Sequence, residues 1–437
     1  MSNVQKNLIF IVLCTTCVCL ALLSTALNTA LPVIAADLQV TSSQAQWVVS
    51  AYALSLAIVM PATAFLVTRF PTRPLYLTAL ALYLACTIAC ACSGSFALLL
   101  CARVVQAAAN GLIANLTQVT ILSVFGEGER GTRMGWFGLA TGVAPVIAPT
   151  IGGVVLDMLG WRFVFWGIAC ILAVAMLFSF VFMKDVLNTK PKHFDVAGFA
   201  LSAFAFAGLT LGIGSISSAG LLSVRTMFEL AIGVAAAVVF VVRAFKVDEP
   251  LLKLSILRSR SFALSVVGSM ALYMVMMGSA AALPVYLQGE LGTSATIAGL
   301  AVLPGAALMA LVNPLAGKTY DKFGIRALAL TAGCCLALSC ALMCVRPLAV
   351  SLLAIVITTA LRYVAIGFIQ MPIMTWGNTS VAKDDMAHGT ALLTSLRNLA
   401  GALGVVIFVA LLDSFGVAIS YGAMAVCSLT VLACAKK

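Results

Sequence analysis

The chain has 437 residues, of which 63% are apolar and 9% charged, against about 45–50% and about 25% for an ordinary soluble domain. With a mean hydropathy of +1.14 it carries more hydrophobic surface than a water-soluble core hides, which excludes a soluble enzyme, a nucleic-acid binder and a secreted disulfide scaffold. The formal net charge of +11, from 25 Lys and Arg against 14 Asp and Glu, then reads as a topology signal and not as a nucleic-acid surface.

Fourteen apolar runs follow one another, at 8–30, 46–67, 75–91, 97–125, 135–158, 163–183 and 196–216, then 227–245, 262–287, 296–316, 327–345, 349–376, 390–412 and 415–434. At about 1.5 Å per residue, each is long enough as a helix for roughly 30 Å of hydrocarbon. The first is too long for the h-region of a signal peptide, and more spans follow it. With the N-terminus in the cytoplasm, nineteen basic residues fall on inner segments, and only Arg162, Arg225 and Arg346 on outer ones. Arg103, Arg362 and Arg397 lie inside spans. The positive-inside rule supports both count and orientation, because deleting any span inverts everything after it. The expectation is a multi-pass protein of the plasma membrane, working as a monomer among lipid, with both termini cytoplasmic. The longest inner connections, 184–195 and 246–261, divide the chain into an N-terminal six-helix half (1–183), a linker with two accessory spans (184–261) and a C-terminal six-helix half (262–437).

The 14 cysteines lie almost entirely in apolar runs and read as small helix fillers. The densest group, Cys14, Cys17 and Cys19, has no His or carboxylate nearby, so no metal site is expected. There is no GxxxxGK[ST] string, HExxH or nucleophile elbow, hence no expected cofactor and no enzyme. A protein without room for a soluble domain acts within or across the bilayer, on a small-molecule substrate.

Several strings carry a resemblance. NTALP (28–32) ends span 1 and QWVVSAY (46–52) opens span 2. ARVVQAAANG (102–111) lies in span 4, and APVIAPTIGG (144–153) in span 5, followed by WRFVFW (161–166). DEPLLKLSILRSRSF (248–262), ALPVYLQ (282–288), GKTYDKFGIR (317–326) and SLRNLAGALG (395–404) complete an ordered set. Together these strings resemble the fourteen-span drug/proton antiporter branch of the major facilitator superfamily. The resemblance implies an all-α major facilitator fold, two six-helix halves plus two extra central helices, exporting drug-like molecules or metabolites by alternating access. It also implies a span-5 hinge between the halves, at Gly142, Pro145, Pro149, Gly152 and Gly153, and an inner-gate latch at Gly317, Asp321, Gly324 and Arg326. Glycines let neighbouring helices approach closely, and prolines interrupt the hydrogen-bond ladder. The matching N-terminal turn, AFLVTRFPTR (64–73), has Thr68 where the family has its acid, so an asymmetric gate is expected.

An intramembrane charge costs about 2.5–3.5 kcal/mol at mid-membrane on the translocon scale, so Arg103, Arg362 and Arg397 should face a cavity or a partner. All fourteen acids lie in loops or at span ends. Polar candidates for partner or substrate contacts are Asn28, Gln106, Asn110, Asn115, Gln118, Gln370 and Asn398. Trp47, Tyr52, Tyr273 and Tyr286 are aromatic candidates for the cavity wall. Where relatives carry a span-1 Asp tied to protons and cationic drugs, this chain has Leu23, so coupling through that position is excluded. His193 and His388 fall in inner loops and are expected to be solvated. Three interior cations without an anion favour neutral or anionic solutes and a potential-driven step. The expectation is export coupled to an ion or to the potential; the alternatives are potential-driven export of an anionic or neutral metabolite without proton coupling, and a non-transporting sensor or assembly protein on the same fold.

Overall fold

The computed structural model describes residues 2–187, 189, 193–220 and 222–435. The long helices, labelled here α1 to α14, begin with α1 (Asn3–Asp37), α2 (Trp47–Arg69), α3 (Thr72–Ala91), α4 (Phe96–Val124), α5 (Arg130–Leu159) and α6 (Trp161–Phe182). The accessory pair is α7 (Val196–Ala219) and α8 (Val224–Lys246), followed by α9 (Arg260–Gly289). The helical stretch Ala295–Leu342 is broken at Gly324 into α10 (295–323) and α11 (325–342). After α12 (Leu352–Thr379), the stretch Met386–Leu429 is broken at Gly416 into α13 (386–415) and α14 (417–429).

These segments are helical because a lipid-facing backbone must close its hydrogen bonds within itself. Polar caps mark where several begin. Ser95 Oγ accepts from Leu98 N, Ser259 Oγ from Phe262 N, Ser294 Oγ from Ile297 N and Ser351 Oγ from Ala354 N, satisfying donors that a first helical turn leaves open. Gly324 (φ 69°) and Gly416 (φ 80°) reverse the chain in left-handed conformations that a side chain resists. The reversal at Gly324 follows from contacts. Tyr286, just before α10, donates to Ala349 O just beyond α11, so both stretches end at one face. Asp321, near the end of α10, bonds Gly131 at the other.

That second face collects most of the Lys and Arg and is called the basic face below. There the Lys253 Nζ to Asp385 pair (2.9 Å) and the Arg73 N–H to Asp185 bond (2.9 Å) tie loops to helices. At the opposite face Arg162 pairs with Asp37 at 2.7 Å, and Tyr286 donates to Ala349 O at 2.9 Å. Exposed side chains such as Leu177, Val181, Phe228 and Val426 form the girdle that lipid covers.

Buried apolar residues form two cores. One runs through α1–α6 and takes in Met371, Met386 and Ala387 from the second set; the other runs through α9–α14 and takes in Ala62 and Ala64 from the first. The accessory pair is a tight hairpin. A Cβ on Gly208 would lie 2.7 Å from the Gly233 backbone, and one on Gly233 would lie 2.6 Å from Leu209 N, the close approach that small residues allow in lipid. Asp195 caps α7 through Gly198 N and accepts from Arg243 of α8 at 2.8 Å. Burial opposes ionisation of Asp195, but Arg243 and the backbone donors outweigh it and hold its carboxyl below the usual range. This contribution to stability is therefore present above the unfolded carboxyl's pKa and lost as pH falls through the lowered folded value.

Candidate central cleft and gate

The two sets of helices meet along a seam that is pinned at the basic face, where cavities of about 230 and 310 Å³ flank Arg130. Glycines of α5 let α10 lie against it. Gly131 is in backbone contact with Gly317, a Cβ on Gly135 would sit 2.5 Å from Asn313 O, and one on Gly142 would meet Ala310 at 3.6 Å. Asp321 pins this end. Its Oδ1 accepts from Gly131 N at 2.8 Å, and its Oδ2 accepts from Thr132 N and Thr132 Oγ1, both at 2.6 Å. A carboxylate on the first N–H groups of α5 satisfies open donors and complements the positive end of the helix dipole. Thr68, at the matching turn of the first set, donates back to Ala64 O and Phe65 O of its own helix. Only one of the two turns reaches across the seam with an acid. Gly324 supplies the chain reversal, and Arg326 is exposed.

Away from the basic face the seam opens. A cavity of about 870 Å³ lies between α2, α7 and α13, with Trp47 and Arg225 among its lining residues. A deeper cavity of about 270 Å³, walled by Met60, Phe206, Tyr273, Ser395 and Asn398, shares Ala53, Thr210, Ala402 and Val405 with it. Sharing these residues, the two form one cleft.

The three intramembrane arginines have different surroundings. Arg103 is 1% exposed. Its Nε donates to Val48 O at 3.3 Å and its Nη1 to Gln106 Oε1 at 2.6 Å, and Gln106 Nε2 donates to Thr87 at 2.8 Å. The guanidinium lies 3.9 Å from the Tyr52 ring centre, and the Tyr52 hydroxyl accepts from Asn110 at 2.7 Å. This network joins α2, α3 and α4 inside the first set. Arg103, Gln106 and Tyr52, expected at the cavity wall, touch one another and line neither part of the cleft.

Arg362 lines neither part of the cleft. It is 0% exposed, lies 4.7 Å from the ring of Tyr421 in α14 with Cys340 also beside it, and its three nitrogens make no hydrogen bond of good geometry among the described residues. It sits in the fourth helix of the second set, as Arg103 does in the first. Three residues on, where Arg103 has Gln106, Arg362 has Ala365. Arg397 differs from both. It is half-buried in α13, with the Tyr273 ring centre 4.9 Å from its guanidinium and Met374 Sδ 2.7 Å from Nη1. Nε has no acceptor among the described residues. Because Tyr273, Ser395 and Asn398 wall the deep cavity, Arg397 stands immediately behind it.

Of the remaining sequence candidates, Trp47 is 42% exposed at the mouth of the cleft and Asn398 lines its floor. Gln118 is buried in α4 with Oε1 unsatisfied, and Gln370 is half-buried in α12; neither lines the cleft. Tyr286 anchors the face opposite the basic one. A Cβ on Gly152 would lie 2.9 Å from Ala26, whereas Gly153 faces open space. The side chains of Asn28, Pro145 and Pro149 lie outside the described residues. His388 is 2% exposed within α13, not a solvated loop residue, because its helix starts one turn earlier than the apolar run suggests. Sequence reasoning did not single out Phe206 or Thr210, since an accessory helix gives no sign of which face it turns to the seam.

A family model described as Major Facilitator Superfamily matches residues 13–405. The chain is 32% identical over 390 residues to the uncharacterized MFS-type transporter YcnB of Bacillus subtilis, covering 89% of this chain and 83% of that protein. It is 32% identical over 391 residues to the lincomycin resistance protein LmrB of Listeria monocytogenes, with the same coverage of 89% and 83%. Among solved structures, the human organic anion transporter MFSD10 superposes with a TM-score of 0.72 at 16% identity, over 100% of both chains, a likeness of fold alone. Matched along most of its length by sequence and along all of it by fold, this multi-pass membrane protein belongs to the Major Facilitator Superfamily and is a transporter, not an enzyme.

Proposed function

We propose that the protein exports small anionic organic solutes from the cytoplasm across the plasma membrane as a monomer, by alternating access, driven by the membrane potential. The basic face is the cytoplasmic one on this reading, by the positive-inside rule. Residues 1–183 and 262–437 are the rocking halves, and the cleft opens outward in the conformation described above. The observation that carries the substrate class is Arg397. It is a guanidinium behind the cleft floor with an unsatisfied Nε, in a chain whose acids all lie in loops or toward helix ends. An apolar cleft with one cation behind an aromatic wall suits a molecule with an apolar body and an acidic or polar group. The relatedness to LmrB agrees with export of a drug-sized molecule.

One negative charge leaving an inside-negative compartment gains about 2.3 kcal/mol per 100 mV, so no protonated carboxylate is required. In proteoliposomes, efflux of an organic anion is expected to follow an imposed potential and to ignore a pH gradient at zero potential. Arg397→Gln is expected to lower that flux about tenfold, the effect of losing roughly 1.4 kcal/mol of interaction. Flux that responds to pH alone, or is indifferent to Arg397→Gln, refutes the reading.

A further inference from the structure

Helix α7 is not merely a filler beside the transport core. It packs against α2 of the first set and α13 of the second, whereas α8 packs on α7 and reaches no core helix beyond isolated contacts. The hairpin therefore meets the core through α7 alone, at the seam where the cleft runs. Two opposite faces of α7 have different neighbours. Gly208 and Gly212, one turn apart, turn to α8, where added Cβ atoms would meet Gly233 and Leu230, each at 2.7 Å. Phe206, Thr210 and Gly214, spaced by about one helical turn each, line the cleft, with Leu211, Ile213 and Ser215 beside them at its wide part. The glycine face fixes the rotation of α7 and thereby the aim of the other face.

The wide and deep parts of the cleft share Thr210 as well as Ala53 of α2 and Ala402 of α13. Thr210 thus stands where the two parts of the cleft meet, together with Ala53, Ala402 and Val405. From Gln46 at the mouth to Met60 at the floor is fourteen residues of helix, a path of about 20 Å, and α7 walls it along much of that length. Phe206 faces the same deep chamber as Tyr273, whose ring covers Arg397.

We propose that α7 forms a third wall of the substrate path. Phe206 is a specificity-determining contact for the apolar body of an aromatic carboxylate, and Thr210 is the narrow point between binding chamber and exit. The substrate class rests on the function proposed above; the placement of α7 on the path does not.

Two measurements test the proposal separately. In intact cells, Thr210→Cys is expected to react with a membrane-impermeant maleimide added outside, at least fivefold above the wild-type background of native cysteines. Phe204→Cys, at a position 62% exposed on the outside of the helix bundle, is expected to stay at background because lipid covers it. In proteoliposomes with fluorescein as the aromatic carboxylate, Phe206→Ala is expected to raise KM about fivefold with little change in kcat. Thr210→Trp should cut flux about tenfold at equal protein level, and Phe204→Ala should match wild type. Thr210→Cys labelling at background overturns the third wall, as does normal transport by both Phe206→Ala and Thr210→Trp. Wild-type protein that leaves fluorescein untouched while Thr210→Cys labels refutes the substrate class and upholds the wall.

Discussion

Asp321→Ala is expected to shift the protein toward a conformation open at the basic face, by about 30-fold to 100-fold in the ratio of states. The carboxylate accepts three hydrogen bonds from Gly131 and Thr132 across the seam, and bonds to a charged group contribute about 1.5–3 kcal/mol each. Partial hydration of the site reduces the sum, leaving about 2–3 kcal/mol of differential stabilisation, which corresponds to that ratio. Spin labels at the exposed positions Glu127 and Lys322 report the separation of the two turns. A longer-distance population that grows in Asp321→Ala, and grows less in Thr132→Val, is the expected pattern. Thr68→Val should leave the distances unchanged, since that hydroxyl bonds only its own helix. An unaltered distribution in Asp321→Ala would falsify the latch.

Arg103→Ala is expected to cost about 1–3 kcal/mol of stability, the range for leaving buried neutral hydrogen-bonding groups without a partner. The substitution leaves Val48 O and Gln106 Oε1 without their donor and empties the space over the Tyr52 ring. Arg362→Met gives the decisive contrast. Arg362 donates no hydrogen bond of good geometry to a described residue, so an apolar side chain of similar length gives up only the contacts with Tyr421 and Cys340 and removes the cost of a desolvated charge. Its stability is expected to equal or exceed that of the wild type. Thermal denaturation in one detergent ranks the three proteins: Arg103→Ala lowest, wild type and Arg362→Met above it. Arg362→Met falling as far as Arg103→Ala would show that acceptors do reach that guanidinium.

The contrast between these two arginines shows where the sequence stops being informative. Both sit eight to eleven residues into the fourth helix of their sets, and hydropathy treats them alike. Gln106 at i+3 is a local sign that Arg103 has a partner on its own helix. Nothing local in the sequence reveals that Tyr421, 59 residues further along, takes the same place for Arg362, or that Arg397 alone stands behind the cleft. His388 shows the same limit: the polar string around it reads as a loop, while α13 begins at Met386 and draws it inside.

What the sequence by itself determined was the succession of long apolar segments, the turn at Gly324 and the residue types at two telling points, Leu23 in α1 and Asp321 near the end of α10. Each is encoded by a length, a charge or one residue type at one point along the chain. Tertiary structure alone decided which faces look inward. These helices are apolar on nearly all sides, because lipid and protein neighbours both accept Leu, Val and Ala, so hydrophobic periodicity carries little information about facing. Hence the inward faces of α7 and α13, and with them Phe206, Thr210 and Arg397, became visible only once the helices were packed.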